Sequence, residues 1–191
     1  PGETGPGAIL CPECGFRDMP EWKTCYACGT PLESAKSPTG PPLKVIASFE
    51  DGSPFSGGAV VEEHATEGKK ALRIDRSYAV MDGAQDWTGF DYLTADMFTA
   101  ALDPIDLYVE IRDTSTTDYW TRVNHATVVP PGASKFVSPI RQLYVGEKSR
   151  PGRPLNASGI TRLVFSIGDK PPAPLHIDNI RLERDESAQE V

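Results

Sequence analysis

The chain has 191 residues, enough for one mid-sized domain with a small appendage and too few for two full-sized cores. Its 17 glycines and 18 prolines indicate many turns, yet their share stays below that of disordered chains. The formal net charge of -8 repels phosphate backbones, and no run approaches the length of about 20 apolar residues that spans a membrane. The sequence therefore predicts neither a nucleic-acid partner nor a membrane span.

The chain divides into five predicted segments. Residues 1–9 are rich in glycine and proline and predict a flexible arm, and residues 10–33 contain all four cysteines. Three prolines interrupt every periodicity in 34–42, which predicts a semi-stiff linker. The main domain is expected over 43–184, and an acidic tail over 185–191. Because the sequence lacks an initiator methionine, an export signal could already have been removed.

Short apolar runs with a period of two, separated by turn residues, follow Leu43. We expect nine strands, at 45–49, 59–63, 71–75, 92–98, 107–113, 119–129, 135–137, 160–167 and 175–182. No run of ten or more residues has helical periodicity with caps, so we expect at most a turn or two of helix. This pattern predicts an all-β domain, a β-sandwich.

Two Cys-x-x-Cys turns contain Cys11, Cys14, Cys25 and Cys28, and each is followed by a glycine that is expected to adopt the positive φ of the turn. Four thiolates complete a tetrahedral shell, so the spacing predicts one structural zinc ion. Two disulfides or an iron site are the alternatives. The segment 10–32 resembles the short zinc ribbons of the CPxCG...CxxCG type. That resemblance implies a docking or tethering module, and a closed four-thiolate shell leaves no position for catalysis.

The segments 86–98 and 107–113, with the first strand at 49–52 and the last at 175–182, resemble the galactose-binding-like jelly rolls that include carbohydrate-binding modules. The resemblance spans 44–183 and implies carbohydrate binding. It also implies a structural calcium ion, for which Glu50 and Asp178 are the matching oxygen ligands. The alternative is that Glu50 begins an ordinary turn and Asp178 pairs at a strand end.

Alternation along the strands separates the two faces. The predicted core residues are Leu93, Ala95, Met97, Leu107, Val109 and Ile111. The opposite face would carry aromatic planes and polar hydrogen-bonding groups suited to a sugar. The candidate ligand residues are Tyr92, Asp96, Tyr108, Glu110, Arg112, Trp120 and Arg122, the last two if their strand pairs in simple register. An ordinary solvated face with cross-strand pairs is the alternative. Trp87 is interpreted as a core residue.

Catalytic signatures are missing from the sequence. The three histidines lie on separate segments, no Gly-x-Ser-x-Gly elbow or phosphate loop is present, and acidic pairs such as Asp96 with Glu110 are a weak signal in a chain with 27 acids. The basic cluster at 148–154 is either a solvated loop or the rim of a cleft for an anionic sugar. The sequence predicts a protein that is not an enzyme.

Together these patterns predict a non-catalytic carbohydrate-binding module, secreted or at the cell surface, with a zinc ribbon for docking or tethering. The alternative is a structural subunit of an extracellular polymer or filament, in which the ribbon or the N-terminal arm contacts a protein partner or another copy of the chain. Both hypotheses require the same fold, and they differ in what the exposed aromatic residues contact.

Overall fold

The structure is a computed structural model that describes residues 9–13, 17–18, 22–32, 43–145 and 152–185. Most of the predicted arm, linker and acidic tail lies outside the described residues, as do Cys14 and 146–151 with most of the basic cluster. The strands are β1 Ile9–Leu10, β2 Arg17–Asp18, β3 Leu43–Ala47, β4 Ala59–Val61, β5 Ala71–Ile74, β6 Ser77–Gln85, β7 Tyr92–Thr99, β8 Ile105–Asp113, β9 Val123–Val129, β10 Gly132–Pro139, β11 Tyr144–Val145, β12 Arg153–Pro154, β13 Ile160–Gly168 and β14 Leu175–Glu183.

Two antiparallel six-stranded sheets form the main domain within these ranges. The first sheet has the order β10-β7-β14-β5-β4, and β3 also pairs with β14. The second sheet has the order β12-β11-β9-β8-β13-β6. The cysteine segment contributes a separate pair, β1 with β2. The described helices are three single 3-10 turns, at Tyr119–Thr121, Ile140–Gln142 and Ala157–Gly159. The prediction of an all-β sandwich is confirmed.

The apolar sides of the two sheets face each other and form one core. All six predicted core residues of β7 and β8 are at most 2% exposed, so the alternation located the buried side of both strands. Trp87 is fully buried, and its indole Nε1 donates a 3.0 Å hydrogen bond to Gln85 Oε1. Burial of an aromatic ring with its polar atom paired is typical of a core residue, as predicted.

The structure differs from the predicted strands in several places, and two of these differences affect the predicted site. Strand β6 was not predicted, because its alternating run from Tyr78 to Asp82 is short and ends at Gly83, which adopts φ +135°. The strand predicted at 119–129 begins only at Val123. Asp118 caps a 3-10 turn there by accepting a hydrogen bond from the Trp120 amide, so the turn replaces the start of the strand.

Asp113 ends β8 and joins it to the β12 segment. Its buried carboxylate accepts hydrogen bonds from Arg153 Nη1 at 2.6 Å and Nη2 at 2.8 Å, and from the Asn156 amide at 2.8 Å. Burial alone would raise the pKa of the Asp113 carboxyl, but the hydrogen bonds from Arg153 and Asn156 outweigh it and lower the pKa. The ionised form is therefore part of the folded structure.

Replacing Asp113 with asparagine should lower the free energy of unfolding by about 2 to 3 kcal/mol at neutral pH, because a charged hydrogen-bonded pair is lost. A carboxyl whose pKa is lower in the folded state stabilises the protein above its unfolded pKa, and this contribution disappears as the pH falls through the folded value. Urea unfolding of the wild type and Asp113→Asn should therefore converge in acid. Asp106→Asn, at an exposed position of the same strand, is the control, and an equal loss in both variants would contradict the prediction.

Candidate functional site

The predicted ligand residues lie on opposite outer faces of the sandwich. Strand β7, with Tyr92 and Asp96, belongs to the first sheet, whereas β8, with Tyr108, Glu110 and Arg112, belongs to the second. Both strands turn their apolar side toward the shared core, so their polar sides point away from each other. The prediction that these residues share one face is therefore wrong. Alternation identifies the outer side of a strand but not the sheet to which the strand belongs.

The outer face of the second sheet brings polar and aromatic side chains into three rows across β6, β13 and β8. The strand registers align Tyr78–Ser166–Tyr108, Val80–Val164–Glu110 and Asp82–Arg162–Arg112. A shallow groove of about 370 Å³ is lined by Ser56, Tyr78 and the second and third of these rows, and Tyr108 borders it on the strand that carries Glu110. We call this surface the second-sheet groove. It contains two of the predicted ligand residues, Glu110 and Arg112, with groups from β6 and β13, and a third predicted ligand residue, Tyr108, lies at its edge.

Tyr78 and Tyr108 are the exposed aromatic rings of this surface, 56% and 43% accessible. Ser166 pairs with both of them, so the two tyrosines lie on either side of one strand. Because neighbouring strands lie about 4.8 Å apart, their Cα atoms are separated by roughly 10 Å. The two rings thus offer apolar surface at two points of one row. Val80 and Val164 lie in the next row and form an apolar part of the groove surface.

Ion pairs occupy the other end of the groove. Asp82 accepts from Arg162 Nε at 2.6 Å and Nη2 at 3.2 Å, and this pairing raises the pKa of the Arg162 guanidinium. Glu110 lies 2.6 Å from Arg112 Nε and 3.0 Å from Arg122 Nε. Asp82, Glu110, Arg112 and Arg162 each have an oppositely charged partner, and all four line the groove.

Trp120 and Arg122 lie beside the groove and do not line it. Trp120 belongs to the 3-10 turn and packs edge-on against Tyr119, with ring centroids 4.8 Å apart. Arg122 is only 4% exposed, its guanidinium stacks over the Tyr119 ring, and it bonds the Tyr119 carbonyl. The structure therefore places Arg122 as a support for Glu110.

Sequence reasoning missed Tyr78, Asp82 and Arg162. The outward positions of Tyr78 and Asp82 could have been predicted from their alternation with the buried Ala79 and Met81. They were missed because strand β6 was not predicted. Arg162 lies in a predicted strand, but its pairing with Asp82 and Arg112 depends on a register shift between Ile160 and Arg162 that the sequence does not reveal.

The outer face of the first sheet is covered in part by residues 62–70, which we call the covering loop. His64 stacks on Phe98 with ring centroids 3.5 Å apart, and Thr66 Oγ1 donates a 2.8 Å hydrogen bond to Asp96 Oδ2. Tyr92 is half-buried on the same sheet. Asp96, which was predicted to bind a sugar, thus bonds to the covering loop of the protein itself.

The two predicted calcium ligands also bond to the covering loop. Asp178 Oδ2 accepts from the Thr66 amide at 2.7 Å and the Glu67 amide at 3.0 Å, and Glu50 Oε1 accepts from the amides of Lys69 at 2.8 Å and Lys70 at 2.7 Å. Calcium requires six to eight oxygen ligands. Oxygens already directed at N-H donors do not fit that requirement, so the contacts of Glu50 and Asp178 do not fit a calcium ion.

Three cysteines converge in the N-terminal segment. The Sγ atoms of Cys11, Cys25 and Cys28 all lie within 4.8 Å of one another, and those of Cys11 and Cys28 are 3.5 Å apart. A disulfide requires about 2.05 Å. Two thiolates on one tetrahedral zinc ion, each at about 2.3 Å from it, lie about 3.8 Å apart, so the described thiols fit a shared metal ion. Cys14, the fourth predicted ligand, lies outside the described residues.

The turn around these cysteines has the backbone that the sequence predicted. Gly29 adopts φ +75° and its amide donates to the Cys25 carbonyl at 2.9 Å. The Tyr26 amide donates to the buried carboxylate of Asp18 at 2.9 Å. Burial raises the pKa of the Cys25 thiol, so a thiolate at this position requires a cation beside it.

Comparison with known proteins identifies the fold. No family model matches the sequence, and no curated protein matches it. A family 11 carbohydrate-binding module from Clostridium thermocellum, solved with a β-1,3-1,4-mixed-linked tetrasaccharide, has a TM-score of 0.55 at 11% identity and covers 76% of this chain and 98% of its own. The family 11 module of a cellulosomal cellulase from the same organism gives 0.55 at 11%, over 77% and 97%.

An agarase structure also shares the fold, with a TM-score of 0.55 at 12% identity. The match covers 76% of this chain but 25% of the agarase, so it concerns one part of that enzyme. These neighbours show that the main domain has the jelly-roll fold of carbohydrate-binding modules. Within the described ranges, the structure contains no helix with the length and hydrophobicity that crossing a bilayer requires.

Proposed function

We propose that this chain, whose main domain has the fold of the family 11 modules, is a non-catalytic carbohydrate-binding module and that glycan binds in the second-sheet groove. The observation that carries the proposal is the pair of exposed tyrosines, Tyr78 and Tyr108. They are aligned in one row, on the same outer face as the paired carboxylates and guanidiniums. A pyranose ring offers apolar C-H faces and a fringe of hydroxyls. The groove supplies a partner for each.

The ion pairs suit recognition of hydroxyl groups. Asp82 and Glu110 accept hydrogen bonds, and Arg112 and Arg162 donate them. Because each group is already fixed by its partner, a sugar meets polar atoms whose positions are set before binding, which lowers the entropy lost on association. The four charges of these groups also cancel, so the groove itself does not select strongly for a charged glycan.

Glycoside hydrolysis requires one carboxyl group that donates a proton and a second that acts as base or nucleophile. The two carboxylates of the groove, Asp82 and Glu110, are each hydrogen-bonded to an arginine side chain. That pairing suits an acceptor of hydroxyl hydrogen bonds better than a proton donor. This arrangement supports a binding role without catalysis.

For the cysteine segment we propose a structural zinc ion bound by Cys11, Cys25 and Cys28 with Cys14 as the fourth ligand. The proximity of the three described thiols supports it. Exposed rings of Trp22 and Tyr26, 5.7 Å apart between centroids, support a docking or tethering role for this segment. A position outside the cell or on its surface agrees with the cellulosomal origin of one structural neighbour.

A broad glycan array combined with a size measurement tests the proposed glycan binding against the structural-subunit alternative. The exposed rings of Tyr78 and Tyr108 are also compatible with that alternative. We expect the protein to bind at least one polysaccharide and to remain small in solution. The absence of any glycan signal together with large ordered assemblies would overturn the proposal in favour of the structural subunit.

A further inference from the structure

We infer that Lys70 supplies an internal cation beside the turn after β3, where the covering loop also bonds Asp178 of β14, so that the domain does not use calcium there. The Lys70 Nζ atom donates a 2.6 Å hydrogen bond to the backbone carbonyl of Glu50. A backbone carbonyl beside a carboxylate is the kind of oxygen that a calcium ion would coordinate. In this chain that oxygen bonds an ammonium group.

The covering loop itself bonds one oxygen of the Glu50 carboxylate. Its Oε1 accepts both the Lys69 and the Lys70 amide, and these amides lower the pKa of the Glu50 carboxyl. Gly68, at φ +69°, packs so tightly that an added Cβ would lie 2.5 Å from Glu50 Cδ and 2.6 Å from Oε1. The loop backbone therefore lies directly on the carboxyl group, where a metal ion would require space.

The Asp178 carboxylate is filled in the same way from the other end of the loop. Its Oδ2 accepts from the Thr66 amide and the Glu67 amide, and its Oδ1 accepts from the Asn179 amide. Asp178 is 1% exposed, so these bonds replace its hydration. A calcium ion would have to displace several donors at once and would meet the positive charge of Lys70.

Two neighbouring lysines allow a matched test. Lys70→Met removes the ammonium and keeps an unbranched side chain and the backbone amide. Lys69→Met makes the same change at a residue for which the described contact to Glu50 comes from the backbone amide. We expect Lys70→Met to lower the melting temperature by roughly 2 to 4 °C, in the range for a lost contact in a domain of this size, and Lys69→Met to leave it nearly unchanged.

The experiment uses the full chain, treated with EGTA, transferred by gel filtration into zinc-containing buffer and verified as calcium-free by elemental analysis, with and without millimolar calcium. Scanning calorimetry should show no calcium-dependent shift for the wild type, and hydrogen exchange of amides 66–70 should accelerate in Lys70→Met only. A rise in the melting temperature of the wild type with calcium would overturn the inference, because a ligand of the native state stabilises it. Equal behaviour of the two variants would overturn it as well. No glycan is used, so the result is independent of the proposed function.

Discussion

Replacing Tyr78 and Tyr108 together with alanine should weaken glycan binding at least about a hundredfold, since each buried contact ring at a binding centre typically contributes a factor of ten or more. Both rings are exposed in the free protein. Their loss should therefore remove contact with the sugar and little internal packing. Calorimetric titration with a polysaccharide selected on the array measures the affinity, and urea unfolding should show a small change in stability.

Tyr92→Ala is the control for this prediction, because it removes the same side chain from the outer face of the first sheet. It should leave the affinity unchanged. If Tyr92→Ala abolished binding while the double variant bound normally, the glycan would lie on the first sheet. If the double variant lost stability without losing affinity, the tyrosines would be cross-strand packing partners, as on an ordinary solvated face.

Cys25→Ser should abolish zinc binding and unfold the cysteine segment while the melting transition of the sandwich stays unchanged. Structural zinc in small modules contributes an apparent free energy of about 10 to 16 kcal/mol, far more than a segment of this size gains from its own core. Elemental analysis should find one zinc ion per wild-type chain and none in the variant. Near-ultraviolet circular dichroism monitors the folding of the cysteine segment, and calorimetry monitors the melting transition of the sandwich.

Lys23→Ser, at an exposed residue two positions before Cys25, should retain the zinc ion. Detection of iron in the elemental analysis would show that the site binds iron, the other metal that the sequence allowed, and not zinc. Wild-type protein without metal, and with a mass that corresponds to two disulfides, would contradict the proposal altogether. A parallel loss of the sandwich transition in Cys25→Ser would contradict the expected independence of the two parts.

Features that depend on neighbours in sequence could be predicted. The turn at Cys25 and Cys28 followed by Gly29 is local chemistry, and the structure contains it with the expected positive φ of the glycine. The buried sides of β7 and β8 follow from alternation, which is also local. The burial of Trp87 was predicted from its position between Asp86 and the glycine turn before β7.

Features that depend on sheet assignment could not be predicted from residues alone. Because β7 and β8 are consecutive, they were predicted to share one face. The chain crosses from the first sheet to the second after Thr99, so Asp96 and Glu110 lie in different sheets. The groove combines β8 with β6 and β13, strands far from it in sequence. Loop contacts such as that of Lys70 with Glu50 equally require the folded structure.

The most direct test of the central claim is to map the bound glycan by amide chemical shifts during titration of the labelled protein with an oligosaccharide from the positive polysaccharide. The largest shifts should centre on the amides of β6, β8 and β13 around Tyr78, Tyr108 and Ser166, with small shifts on β7 and β14. Shifts concentrated on β7, β10 and β14 would contradict the claim, because they would place the glycan on the outer face of the first sheet.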